Sequence, residues 1–113
     1  MTWNYPAELD AVIAAPHSHE ILLENEEVRV LKVIIPPGKK EPFHTHRWKS
    51  VMFVTSPARI RYYDETKEVA WETPTEKPLE PKGPEWMEPE GLHAVENIDQ
   101  VDYVGLRIEL KRG

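Results

Sequence analysis

The sequence predicts an all-β sandwich or barrel, and three observations carry that expectation. Seven or so short runs rich in β-branched and aromatic residues are separated by proline, glycine and polar turns, in a chain with 11 prolines and 5 glycines. No helical run is long enough to cover a parallel sheet. The run Asp102 to Lys111 alternates cleanly, with Val104, Leu106, Ile108 and Leu110 on one face and Gly105, Arg107, Glu109 and Lys111 on the other, as a half-buried strand does.

The elements follow in order. Leu9, Val12 and Ile13 fall at helical spacing within Ala7 to Ala15, and Pro16 stops the run, so one short helix or turn is expected inside an N-terminal arm over residues 1–19. Trp3 and Tyr5 in that arm are large apolar groups that need a surface to cover. A barrel domain is expected over 20–113. Its first strands are Glu20 to Glu24 and Val28 to Ile35; the second, VRVLKVII, is nearly continuous in β-formers, so both of its faces should be at least partly covered. Pro36-Pro37-Gly38 ends it. Phe43 to Val54 is the next strand region, closed by Ser56-Pro57. Arg59 to Tyr63 and Glu68 to Trp71 flank the turn Asp64-Glu65-Thr66-Lys67. Thr73 to Gly91 holds Pro74, Pro78, Pro81, Pro84 and Pro89, and with Leu79, Trp86 and Met87 as apolar anchors it reads as an ordered extended loop with short edge strands. Leu92 to Ile98 precedes the final strand.

At 113 residues the chain is one domain with a single core. A formal charge of −6 and the lack of a basic cluster argue against nucleic acid or an anionic membrane as partner. The absence of cysteine excludes disulfides, thiolate nucleophiles and cysteine-ligated metal. No segment approaches the roughly 18 apolar residues of a membrane span. With no basic leader visible, the expectation is a cytoplasmic protein.

The chemistry concentrates in PPGKKEPFHTHRWKSVMFV. Side chains two apart on a strand share a face, so His44 and His46 should project together, followed on the same side by Trp48, Ser50, Met52 and Val54. Two imidazoles at that spacing can grip a divalent cation if a third ligand arrives, and His93, after a Pro/Gly turn, is the candidate. His17 and His19 repeat the spacing beside Pro16 without such a scaffold and are read as surface or strand-edge residues. Glu88, Glu90 and Glu96 are read as solvated loop charges. Ser50, Trp48, Met52, Tyr62 and Trp86 are candidates for the pocket lining, and Arg59, Arg61 and Arg107 either pin a carboxylate or sit in solvent. There is no phosphate loop and no nucleophile elbow.

These spacings resemble the cupin superfamily of small conserved β-barrels. Its first motif, glycine, five residues, then His-x-His, is matched by Gly38, KKEPF and His44-Thr45-His46. Its second is matched by Gly83, PEWME, Pro89-Glu90-Gly91, His93 and Asn97. The resemblance covers roughly residues 38–97 and implies a jelly-roll barrel whose histidines face the interior, usually on a divalent metal. Two departures stand out. Ser50 and Val51 occupy the places where the family carries a glutamate ligand, and His93 follows Gly91 by two positions instead of three.

Three neutral imidazoles leave a divalent ion its full charge, which favours Fe, Ni, Cu or Zn over Mn or Mg and an anionic, chelating small molecule as ligand. The resemblance implies either O₂-dependent oxidation or isomerisation of such a substrate. A binding or sensing module without turnover, and a barrel with no metal, are the other two expectations. A two-fold homodimer is expected from the apolar arm and the sheet edges.

Overall fold

Two antiparallel sheets enclose a common interior in the computed structural model, which describes residues 3–112; Met1, Thr2 and Gly113, at the ends of the expected arm and barrel domain, lie outside the described residues. Among the described residues, a 3₁₀ turn, Ala7–Leu9, and a short helix α1, Ala11–Ala14, precede nine strands. These are β1 (His19–Glu24), β2 (Val28–Ile35), β3 (His44–His46), β4 (Ser50–Ser56), β5 (Ile60–Tyr63), β6 (Val69–Glu72), β7 (Lys82–Met87), β8 (Glu90–Asn97) and β9 (Tyr103–Leu110). One sheet has the order β1-β2-β9-β4-β7, the other β3-β8-β5-β6. No helix among the described residues is long and apolar enough to cross a membrane.

The β-branched run of β2 explains its central place. Leu31, Val33 and Ile35 point inward with Arg29, while Val28, Val30, Lys32 and Ile34 are half-buried on the outer face. Across the ladder, Val33 opposes Gly105 and Gly105 opposes Val54, and with Met52 these apolar residues form one end of the interior. On β9 the alternation is as expected but the buried side is the polar one. Gly105, Arg107 and Glu109 face inward, and Val104, Leu106, Ile108 and Leu110 stay half-exposed outside.

The long strand expected over Phe43 to Val54 is two strands on opposite sheets. The chain leaves β3 after His46, crosses at Arg47-Trp48-Lys49 and enters β4 at Ser50. Within β4, Ser50, Met52 and Val54 do point inward. The arm covers the back of β3: Asp10 bridges to Thr45, the Thr45 hydroxyl donates to the Leu9 carbonyl at 3.2 Å, and Ala11 and Ala15 are fully buried. Tyr5 lies over Gly91, where a Cβ would sit 2.7 Å from the phenol oxygen, so a side chain at 91 would push the Tyr5 ring aside.

The turn after β2 and the end of β8 hold each other. Gly38, at φ +75°, donates its N–H to the Asn97 carbonyl at 2.9 Å. The Asn97 side-chain amide donates to the carbonyls of Ile35 and Val101, both at 2.8 Å, which ties the chain on either side of the site together. Arg59 donates to the carbonyls of Pro74 and Lys77 and pins the proline-rich loop, whose residues line the mouth of the interior.

Candidate metal centre

A cavity of about 420 Å³ lies between the sheets. His44 and His46 on β3 and His93 on β8 meet in it, with ring centroids 5.1 Å (His44–His46), 4.4 Å (His44–His93) and 5.5 Å (His46–His93) apart. His44 pairs with His93 across the ladder, and an irregularity in register between His44 and His46 sits where both rings turn inward. All three are nearly inaccessible to solvent.

A fourth imidazole joins them. His19, the first residue of β1, is buried with its ring 4.7 Å from His44 and 5.2 Å from His46. The reading of this residue as a surface or strand-edge histidine is corrected. The turn at 16–18 splits the His17/His19 pair, leaving His17 exposed while His19 starts a strand on an inward position.

Each of the four rings is anchored at Nδ1. His19 donates to the Ala15 carbonyl at 3.1 Å, His44 to Pro42 at 2.9 Å, His93 to Gly91 at 2.7 Å, and His46 to a Glu109 carboxylate oxygen at 3.1 Å. A carbonyl only accepts, so the contacts of His19, His44 and His93 assign the proton to Nδ1, and the Glu109 carboxylate, paired with Arg29, accepts from His46 in the same way; the Nε2 lone pairs are left for a ligand, the arrangement metal-binding histidines use. Burial holds His19 down to about 4 and His44 to about 2, and it lowers His46 and His93 as well. All four rings are therefore neutral donors at neutral pH. Two trios bring one ligand atom each to within 4.8 Å of one another, His19–His44–His46 and His46–Glu90–His93. The donor set fits an imidazole-loving divalent ion.

Three carboxyls surround the rings. Glu41 accepts from the Ser18 hydroxyl at 2.8 Å and the Val95 N–H at 3.1 Å, and one oxygen lies 3.7 Å from His44 Nε2. Burial pushes it up to about 8. Glu109 is fully buried between Arg29 and His46, and Arg29 in turn makes a two-pronged pair with Asp10 at 2.9 Å. Glu90 accepts from Arg107 Nη1 at 2.7 Å and from the Tyr62 hydroxyl at 2.9 Å. Burial alone would raise Glu90, but His93 and Arg107 hold it below the ordinary carboxylate range. Its reading as a solvated loop charge is corrected: Glu90 belongs to the cavity, whereas Glu88 is exposed and Glu96 pairs with Arg61 and Tyr63 at the side of the sheet.

The expected lining residues divide. Met52 and Tyr62 line the cavity, Tyr62 stacked on His93 at 5.3 Å and on Trp71 at 5.7 Å. Ser50 is fully buried but does not line it, and its hydroxyl has no hydrogen-bond partner among the described residues. Trp48 and Trp86 are corrections. Both border a separate outer groove of about 270 Å³, because the crossing at 47–49 swings Trp48 off the strand face and Trp86 lies opposite Val51 on the outer side. Arg29, Arg47 and Lys111 sit over the Trp48 ring. Of the three arginines, only Arg107 is in the cavity. His19, Glu41 and Glu109 are the site residues that sequence reasoning missed.

No family model and no curated protein matches the chain by sequence. Solved structures do match by shape. A cupin domain from Bordetella pertussis Tohama I superposes with a TM-score of 0.64 at 19% identity, over 83% of this chain and 92% of that one. An uncharacterized conserved protein with a double-stranded β-helix domain from Klebsiella pneumoniae gives 0.58 at 16%, over 82% and 75%. An RmlC-like cupin family protein from Methanocaldococcus jannaschii gives 0.57 at 13%, over 81% and 77%.

Proposed function

We propose, from a chain with the cupin, or RmlC-like double-stranded β-helix, fold, that its cavity binds a divalent transition metal (Fe, Ni, Cu or Zn) on His44 and His46, joined by His19, whose ligand atom lies within 4.8 Å of theirs, and by His93, the third ligand expected from the sequence, and that it admits a small anionic ligand. The observation that carries this reading is the anchoring of all four Nδ1 atoms, which leaves four neutral Nε2 donors in one buried space.

The metal would supply Lewis acidity and, if iron or copper, access to dioxygen chemistry. The chain's own residues hold the imidazoles neutral by burial and orient His19, His44 and His93 from backbone carbonyls and His46 from Glu109. Val33, Met52 and Val54 form a dry wall, and the loop at 74–80 borders the entrance. Oxidation of a small chelating anion by O₂ is the reaction class we favour, with isomerisation of such a substrate next. A second reading, a ligand-binding or sensing barrel without turnover or without metal, draws on Arg107. Its buried guanidinium already brings a positive charge to the imidazoles.

Elemental analysis of untagged protein beside a variant with His44 and His46 both changed to alanine tests the reading. Stoichiometric iron or copper lost in the variant, with oxygen uptake on 1,3-dicarbonyls, thiols or catechols, supports an enzyme. Bound zinc or nickel without uptake supports the module, and no metal in either protein sinks the metal centre. We further read residues 1–19 as an arm on a barrel domain over 20–113, and the cytoplasm as its setting. We also read the protein as a two-fold homodimer, supported by the exposed Ile21, Leu22 and Leu23 on edge strand β1 and the apolar outer face of β9. A monomer mass at micromolar concentration by light scattering would remove the dimer.

A further inference from the structure

We propose that Arg107 is the anchor of a carboxylate-binding subsite, and that the cavity takes a small monocarboxylate with a short apolar body. This deepens the preceding reading by naming the ligand class, but it rests on the cavity and not on the metal.

Arg107 is 4% exposed and lines the cavity. Its Nη1 donates to Glu90, while Nε and Nη2 are buried with no hydrogen-bond partner among the described residues. Those two nitrogens share one edge of the guanidinium, the edge that grips a carboxylate with two parallel N–H···O bonds. Buried donors left unmade are costly and rare, and two on one charged group call for an acceptor. The described residues do not supply it. Glu41 is taken by Ser18 and Val95, Glu90 by Tyr62 and Arg107 Nη1, and Glu109 by Arg29 and His46.

Three features narrow the ligand. A volume of about 420 Å³ suits a small molecule. Val33, Met52 and Val54, with Met87 and Tyr103 against them, offer an apolar wall for its body. Glu90, charged beside Arg107 in the same cavity, disfavours a dianion such as phosphate, so a single negative charge is the better match. Held on Arg107, the carboxylate lies beside the imidazoles, where it also offsets the charge of a metal.

The test titrates the full chain, metal-free and metal-loaded, with isobutyrate, isobutyramide and inorganic phosphate, following the Arg107 Nε–H resonance by NMR and the affinity by calorimetry. Expected are saturable isobutyrate binding with a downfield shift of Nε–H, at least tenfold weaker binding of the neutral amide and of phosphate, and at least tenfold weaker isobutyrate binding by Arg107→Lys. No saturable isobutyrate binding in either form overturns the proposal, as does an unmoved Nε–H, undiminished binding by Arg107→Lys, or tighter binding of phosphate. If Arg107→Lys does not fold, the wild-type resonance decides. Elemental analysis of the same samples separates the two readings: metal without carboxylate binding sinks this one alone, and carboxylate binding without metal sinks only the metal centre.

Discussion

On β9, Arg107 and Glu109 are 4% and 0% exposed on the inner face, while their neighbours Leu106, Ile108 and Leu110 stay half-exposed on the outer one. An ordinary sandwich does the reverse, because burying apolar surface is favourable and burying charge is costly unless every group is paired. The inner charges are largely paired, through Asp10–Arg29–Glu109–His46 and Glu90–Arg107. Such networks add little stability over an apolar core. The inversion fits the proposed metal centre in the interior and the proposed contact between copies on the outside.

The sharpest way to break the contrast is to change adjacent residues on opposite faces. Glu109→Leu removes the acceptor of Arg29 and of His46 Nδ1 together. It should cost about 3–5 kcal/mol in urea unfolding, the usual loss when one partner of a buried ion pair is deleted. Metal affinity should fall roughly 10–100-fold, as for a ligand histidine that loses its anchor. A loss under about 1 kcal/mol would mean that the inner charges are not coupled as their distances suggest.

Metal-free protein sharpens the contrast by pH. The lowered His19, His44, His46 and His93 stay neutral in the fold, so as pH falls below about 6.5 the unfolded chain takes up protons that the folded one refuses, and stability drops. Glu41, raised to about 8, acts in the opposite sense: its contribution is full below its ordinary range and is lost as pH rises toward 8. Melting temperature should peak near about pH 7 and fall by roughly 10 °C toward pH 5. A melting curve flat between pH 5 and 8 would show that the imidazoles are not buried neutral.

The faces also differ in how legible they were. The inward pair His44 and His46 could be read because two-residue spacing reports strand geometry directly, and His93 because a strand-like run follows a Pro/Gly turn, whereas Gly38 and Asn97 were marked as a set only by the resemblance to the cupin motifs. The alternation of β9 was equally plain, but which side faced the core was not, since polarity normally decides it and here polarity is inverted. Glu41 was hidden in the KKEPF segment, whose charges look like a solvated turn. His19 was masked by His17, and only the register of β1 against Val33 turns it inward. Trp48 failed because two-residue periodicity holds only while the strand continues, and the chain leaves it at Arg47.

On the outer face, Ile108→Thr should cost the isolated chain no more than about 1 kcal/mol, because the residue is only partly covered. If the apolar face is a homodimer contact, the same change should weaken association at least tenfold in sedimentation or light scattering. A loss equal to that of Glu109→Leu, with no change in mass, would place the structural core outside the barrel and undo the contrast.

Trp86→Ala should have the smallest effect, though the indole is large. Trp86 is 56% exposed, its ring nitrogen bonds only to Glu88 two residues on, and it borders the outer groove with Trp48 instead of the cavity. Removing an exposed side chain with one local contact should change unfolding free energy by no more than about 0.5 kcal/mol. Metal content and isobutyrate affinity should match wild type, while Tyr62→Ala, which strips the stacked face of His93 and a hydrogen bond from Glu90, should weaken both. If Trp86→Ala altered ligand affinity as much as Tyr62→Ala, the outer groove would have to communicate with the histidines through β4, whose Val51 opposes Trp86 and whose Met52 lines the cavity.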